Sequence, residues 1–395
     1  APWLSPWLTW AFVVSCSSSL GHVDTSIADL FGNVVSAAAH VYGLKDDTGA
    51  AMACVHVAPC RSPTVWGGDT YFAVYHSLID QGRPVGIDNV EWRGDQSAIT
   101  GEFEVRLASS RDLITWTYRR TLVKNADMPY LFHIDSAKML PWASGGDGWI
   151  MLAHEQWMNK GSTAPCQLGF KLYYNESMLL KASDFNSYVA PLSVGAQSGL
   201  EGTPSIFQAE LAKQDELFFI DADIGFHFND EHGKDQVAVG RLTSFGPAML
   251  TPTLSGQHRD NGYDSLFINA GAIGNIGQRA PGWITTHHLC LQEANIGSQP
   301  PTVWADWRIW LYSFAPSETD VPTGAAGSAV AMLNVTTHGG STAIGNPSFT
   351  PLANCPNGSS SSRGCVFVSY FVFGKGAAPG EAGVLAFWKD VPPTI

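Results

Sequence analysis

The chain has 395 residues, of which 45% are hydrophobic and only 14% charged, with 40 Gly and 23 Pro. Its 22 basic and 35 acidic side chains give a formal charge of −13, which argues against nucleic acid or an anionic membrane surface as the main partner. There is no apolar run of 18 or more residues, so no membrane-spanning helix is predicted.

In chain order, the first apolar stretch is Pro2–Cys16, which has the hydropathy of a signal peptide but no basic n-region and an interrupting Pro6. It is assigned to the mature fold, with Trp10–Ser15 supplying the outermost strand of the last repeat and closing a ring. Beyond it, one pattern returns five times, about every 70 residues. A small or polar cluster with Pro or Gly leads into an apolar run, and a turn then feeds a strand rich in aromatic and β-branched residues. The openings are Arg61–Val65, His133–Ala137, Glu201–Ser205, Asn269–Ile273 and Gly345–Phe349. Their partner strands are Tyr71–Ser77, Gly148–Gln156, Glu216–Asp223, Gly282–Leu291 and Gly364–Phe373.

The amphipathic helical period is absent over any full window, whereas short strands bounded by Gly, Asn, Asp and Ser recur throughout. The expected fold is therefore all-β: a five-bladed β-propeller of four-stranded antiparallel blades around a central channel, one domain over residues 1–395. The innermost strands are expected near Pro63–Trp66, Ser136–Pro141, Ser205–Ala209, Ala272–Asn275 and Ser348–Leu352. Residues opening such strands converge at one end of the channel. Two of the five openings carry acids, Asp135 and Glu201, and converging carboxylates suit glycosidic bond cleavage.

Cys54 and Cys60 flank a short loop and Cys355 and Cys365 bracket a Ser-rich hairpin, so a disulfide is expected at each pair. Cys16, Cys166 and Cys290 leave an odd number whose pairing stays open. Three N-glycosylation sequons begin at Asn175, Asn334 and Asn357. Together with the cysteines they point to a secreted, extracellular glycoprotein. No zinc spacing exists and no cofactor is expected; Asp221-Ala222-Asp223 hints at a structural calcium loop but lacks a closing glutamate. His154-Glu155 and His287-His288 sit on strands with one side chain toward each face. Of Trp66, Trp157, Trp283 and Trp310, about one is expected to stack on a sugar and the rest to pack between blades.

Two stretches carry a family resemblance. Ser109-Ser110-Arg111-Asp112-Leu113-Ile114-Thr115-Trp116 resembles the blade-closing signature of secreted five-bladed glycoside hydrolases, notably family 43. Glu201-Gly202-Thr203-Pro204-Ser205-Ile206-Phe207 resembles the stretch that carries their general acid, with Thr203 as an extra residue. The resemblance implies that Glu201 protonates the leaving oxygen and that Asp135 tunes it. Where that family opens its first blade with a general-base Asp, this chain has Ser62-Pro63, which leaves the base unassigned, with Asp69, Asp88, Asp24 and Asp29 the nearest acids. Arg61, Ser62, His133, Asn346 and Trp66 are the candidate substrate contacts, Arg61 through a bidentate pair with a uronate or sulfate.

The expected function is hydrolysis of a glycosidic bond in a polysaccharide or oligosaccharide by carboxylate acid–base catalysis. Two alternatives stand beside it: a propeller that binds carbohydrate without cleaving it, and a lyase using His133 and Arg61 on a uronate. The purely structural readings are an exposed turn acid for Glu201 and a turn cap for Asp135.

Overall fold

The computed structural model describes residues 25–84, 101–134, 148–159, 163–194, 199–214, 217–229, 235–246, 252–258, 280–284, 287–295, 307–314, 328–333, 335, 344–356, 364–372 and 383–391. Among them, alternating Val, Ile, Phe and Tyr runs bounded by Gly and Asn build five antiparallel sheets. The first blade comprises Ala53–Pro59, Tyr71–Asp80, Glu102–Ser110 and Thr117–Lys124, with the two-residue strand Arg83–Pro84 beside Tyr71–Asp80. The second runs through Ala126–His133, Ile150–Asn159, Thr163–Tyr173 and Asn186–Val189, and the third through Glu201–Gln214, Leu217–Asn229, Asp235–Phe245 and Thr253–His258. The fourth comprises Ala280–Ile284, His287–Asn295, Trp307–Phe314 and Ser328–Leu333.

The fifth blade has Ile344–Leu352, Cys365–Val372 and Gly383–Asp390, and its outermost strand comes from the other end of the chain. Ala39–Tyr42 pairs antiparallel with Leu385–Trp388 and closes the ring. The closing strand is thus Ala39–Tyr42, whereas Trp10–Ser15 lies outside the described residues. Just before it, the helix Thr25–Gly32 wedges Leu30 and Phe31 against the fourth and fifth blades, with the Phe31 ring edge-on to Phe349. Lys389 fastens this helix by donating to Asp29 at 2.7 Å.

The innermost strand of each blade touches those of both neighbouring blades, giving the cyclic order first, second, third, fourth, fifth, first. The cores lie between blades. Val105, Leu107, Ile150 and Leu152 fill the gap between the first and second, and Met151, Phe170, Ile224 and Phe245 that between the second and third. Val55, Val57, Phe367 and Trp388 fill the gap between the fifth and first. Because every blade has four alternating strands, all innermost strands start at the same end of the channel, here called the entry end.

Two expected innermost strands are displaced. Arg61–Gly68 is not the first strand but the turn after it, and the strand itself is Ala53–Pro59. His133 ends the second blade's innermost strand instead of opening it. The expected strands Ser136–Pro141 and Ala272–Asn275 lie outside the described residues.

The displacement also undoes one disulfide. Cys54 and Cys60 are not joined by a disulfide, because Ala53–Pro59 is extended and advances about 3.3 Å per residue, carrying the two cysteines apart. Cys355 and Cys365 are joined by a disulfide whose Cα atoms are 6.0 Å apart. Cys166 is a buried free thiol. The calcium reading of Asp221-Ala222-Asp223 fails for an equally local reason: both carboxylates lie on a strand and face Arg241, at 3.7 and 2.9 Å.

Four buried histidines are held neutral by desolvation: His56 and His133 are pushed down to about 3, and His76 and His154 to about 4. In the unfolded chain each titrates near its ordinary value, about 6.5. Between there and pH ~4 the unfolded state binds protons that the folded state refuses, so stability falls as pH falls, by roughly 1.4 kcal/mol per pH unit for each histidine. The urea midpoint should therefore drop steeply from about pH 7 to about pH 5. An unchanged midpoint would contradict the neutral, buried assignment.

Candidate active site

Near its entry end, each of four innermost strands carries a β-bulge with one non-glycine residue in the left-handed region. These residues are Cys54 (φ 50°), Met128 (φ 44°), Thr203 (φ 49°) and Asn346 (φ 46°). The ladder shifts register at each: Ala53/His56, Asp127/Tyr130, Gly202/Ser205 and Gly345/Ser348. A left-handed residue with a side chain costs about 1–2 kcal/mol, so four at matching positions mark a feature built into the repeat.

The bulge releases a backbone N–H from the ladder, and the blade before it supplies an acceptor. The Met128 amide donates to Nδ1 of His76 in the first blade at 3.2 Å, and the Thr203 amide donates to Oε2 of Glu155 in the second at 2.9 Å. His76, Glu155 and His227 occupy the same place in successive blades. Each lies on the second strand, opposite the residue that precedes the bulge: Ala53, Asp127 and Gly202 respectively. The fifth blade has Phe371 there. It meets the first blade through Ser348, whose hydroxyl donates to the Val55 carbonyl at 2.8 Å.

Repetition therefore gathers Asp127, Glu155 and His227 where the second and third blades meet. Asp127 is 4% exposed and Glu155 5%. Burial first, and the Glu155 charge second, push the Asp127 carboxyl well above the usual carboxylate range. Burial also works against charge on Glu155, but hydrogen bonding and attraction from His227, the Cys166 thiol and the Thr203 amide outweigh it and hold Glu155 below its ordinary value. The two neighbouring carboxyls are thus pushed in opposite directions, Asp127 toward its protonated form and Glu155 toward its ionised one. His227 Nε2 lies 3.7 Å from Glu155 Oε2. The indole N–H of Trp157 donates to Asp127 at 3.0 Å, and Trp157 is half-buried beside the exposed Met158.

Other residues singled out in the sequence lie elsewhere or are occupied. Glu201 heads the third blade, but its carboxylate is fully buried and accepts from the Ser193 amide at 2.7 Å, the Ser193 hydroxyl at 3.2 Å and the Val194 amide. It anchors the 193–194 turn. Asn346 sits at the fifth blade's bulge, at the entry end. Arg61, Ser62, Trp66 and His133 lie at the opposite end, past the exits of the first two innermost strands. There Glu176 accepts the Arg61 amide, the Ser62 amide and the Trp66 indole N–H at 2.8, 3.0 and 2.8 Å. Trp66 is buried and stacked on Phe72, which removes it as a sugar platform, and Ser62 is a turn residue with no innermost-strand role.

Asp135, Asn334 and Asn357 lie outside the described residues, as do Asp24 and Asp88 and the side chains of Trp283, Trp310, His287 and His288. Asn175 caps the short helix Glu176–Leu180 through its side-chain oxygen. Asp69 is bound to Arg111 and Arg119 at 3.1 and 2.7 Å, and Asp29 to Lys389, so neither faces the Asp127–Glu155 pair. In the blade-closing motif, Asp112 accepts the Ile114 and Thr115 amides and Trp116 is buried, a turn role. Among the described residues no group of three or more His, Cys, Asp or Glu has metal-holding geometry.

No protein-family model matches the chain, and no curated protein sequence matches it. Solved structures similar to it include a glycoside hydrolase (10% identity, 93% of this chain and 94% of that one, TM-score 0.49). A family 117 glycoside hydrolase of the marine bacterium Zobellia galactanivorans is similar at 9% identity over 93% of each chain, TM-score 0.49. So is an α-L-arabinofuranosidase variant of Fusarium graminearum bound to an iminosugar inhibitor, at 9% identity over 90% of this chain and 98% of that one, TM-score 0.47. These are likenesses of overall course and assign no residue.

This cluster also depends on Gly202. A Cβ there would lie 2.0 Å from Glu155 Oε2 and 2.7 Å from His227 Nε2. Gly202→Ala should displace the buried carboxylate from the Thr203 amide and cost about 3 kcal/mol in urea unfolding. A loss under about 0.5 kcal/mol would show that Glu155 is not held there.

Proposed function

We propose that the protein hydrolyses glycosidic bonds of a neutral carbohydrate at the entry end of the channel, with Asp127 as proton donor and Glu155 as its ionised neighbour. The observation that carries this reading is the placement of two buried carboxyls opposite each other at the bulge, Glu155 tied to the Thr203 amide and Asp127 to the Trp157 indole. Glycoside cleavage requires an acid that is still protonated near neutral pH, and a buried carboxyl beside a fixed negative charge meets that need. Trp157 supports it: its N–H orients Asp127, and its half-exposed ring offers an apolar face to a sugar. Glu201 supports the site from behind by holding the chain that leads into Gly202 and Thr203.

The lyase reading loses ground because Arg61 and His133 lie at the other end of the channel, His133 buried and neutral. Secretion fits the Cys355–Cys365 disulfide, which suits an oxidising compartment. Among the described residues no helix is long and apolar enough to cross a membrane.

The test is a screen of neutral polysaccharides and 4-nitrophenyl glycosides, followed by variants. Asp127→Asn should lower kcat/KM by about 10²-fold or more with little change in sugar binding. Glu155→Gln removes the charge that holds the Asp127 proton, so the alkaline limb of the pH–rate profile should move to lower pH. If the wild type binds a glycan and cleaves none, the protein is a carbohydrate-binding propeller.

A further inference from the structure

The end of the channel away from Asp127 and Glu155 concentrates positive charge on one rim. Arg61 opens the turn 61–70 that follows the first blade's innermost strand, and four more bases close round that turn. Arg111 donates to the Gly67 carbonyl and to Asp69, both at 3.1 Å. Arg119 donates to the Trp66 carbonyl at 3.4 Å and to Asp69 at 2.7 Å. Arg120 donates to the carbonyl of Lys181, the residue that ends the helix Glu176–Leu180, and Glu176 pins that helix to the same turn. All five bases are exposed.

Depth separates the signs. The two carboxylates that hold this turn lie beneath it. Asp69 is buried under Arg111 and Arg119, and Glu176, also buried, accepts the Arg61 and Ser62 amides and the Trp66 indole N–H. The Arg111 side chain, by contrast, is 69% exposed. Two shallower acids beside the rim are turned to backbone, Asp112 to the Ile114 and Thr115 amides and Asp47 to the Tyr118 amide. Cationic groups facing outward over carboxylates facing inward give this rim a positive surface in a chain with 22 basic and 35 acidic side chains.

We propose that this rim binds an anionic polysaccharide, through sulfate or carboxylate groups spaced along one sugar chain. Guanidinium groups match both anions with paired N–H donors. The width of the ligand decides among polyanions. Salt confines the field of the five cations to about 8–10 Å at ordinary ionic strength. A single polysaccharide strand fits within that reach, whereas a DNA duplex or an anionic membrane spreads charge more widely and meets the acidic remainder of the protein. The proposal is independent of the hydrolase reading, whose carboxyls lie at the entry end.

The test is fluorescence anisotropy of the full chain with labelled heparin as the sulfated probe and labelled polygalacturonate as the carboxylated one. Labelled dextran is the neutral control. At least one polyanion should bind and dextran should not, and the affinity should fall about tenfold or more between about 50 and about 200 mM NaCl. The triple variant Arg61→Gln, Arg120→Gln, Lys181→Gln leaves Asp69 its two arginines, and Arg111→Gln leaves it Arg119. With folding checked by circular dichroism, the triple variant should weaken binding about tenfold or more and Arg111→Gln about threefold. Lys124→Gln, at the far end of the strand Thr117–Lys124, should stay within about twofold of wild type. No binding of either polyanion at the lower salt overturns the proposal, and so does a triple variant that binds like the wild type or a Lys124→Gln that loses as much. Duplex DNA or phosphatidylserine vesicles bound as tightly as the polysaccharide overturn it too. Each of these results leaves the hydrolase reading standing, because none of them measures cleavage.

Discussion

The entry end of the channel depends on one constraint: a backbone N–H released by a bulge must find an acceptor. A buried amide left without one costs about 1–3 kcal/mol, comparable to the left-handed conformation that released it. The acceptor comes from the blade before, as His76 for Met128 and as Glu155 for Thr203. This stitches adjacent blades together where their apolar contacts end. In the first and second blades it also shapes the chemistry, because the side chain at that place, His76 or Glu155, offers a lone pair to the released amide.

Once Glu155 is committed to the Thr203 amide and lies beside His227, its carboxyl is held below the ordinary range although it is buried. Asp127, placed opposite it by the register of the second blade, cannot ionise beside it at ordinary cost. The acid–base asymmetry therefore follows from the bulge geometry. Where the fifth blade puts Phe371 at the corresponding place, no such asymmetry arises, and the contact to the first blade rests on Ser348 and Thr350.

The all-β class and the five-fold rhythm could be read from the sequence because each rests on local patterning, whereas the strand that closes the last blade is Ala39–Tyr42 and not the expected Trp10–Ser15, which lies outside the described residues. Glu201-Gly202-Thr203-Pro204 and Gly345-Asn346-Pro347 were visible as strand openings because Pro follows the bulge residue, where a ladder N–H is not needed. Met128-Pro129 bears the same mark, upstream of the His133–Ala137 cluster at which the repeat pattern places the opening. Cys54-Val55 lacks the proline altogether. The juxtaposition of Glu155 and His227 is not legible in the sequence for a stricter reason. Both are mid-strand residues whose partners are set by a register shift in another strand, and a shift of one residue turns a side chain to the opposite face. Alternation along a bulged strand sends the Glu201 carboxylate to the 193–194 turn while Gly202, one residue on, meets Glu155.

The central claim is that the register of the bulged strands keeps one proton on Asp127 near neutral pH. Infrared difference spectroscopy of the carboxyl stretch tests this without a substrate, by comparing wild type with Asp127→Asn and Glu155→Gln. The account predicts a protonated-carboxyl band in the wild type near pH 7 that vanishes in Asp127→Asn. It should also weaken in Glu155→Gln, where the charge holding the proton is gone. A wild-type spectrum with no protonated carboxyl, or a band unaffected by Asp127→Asn, would contradict it.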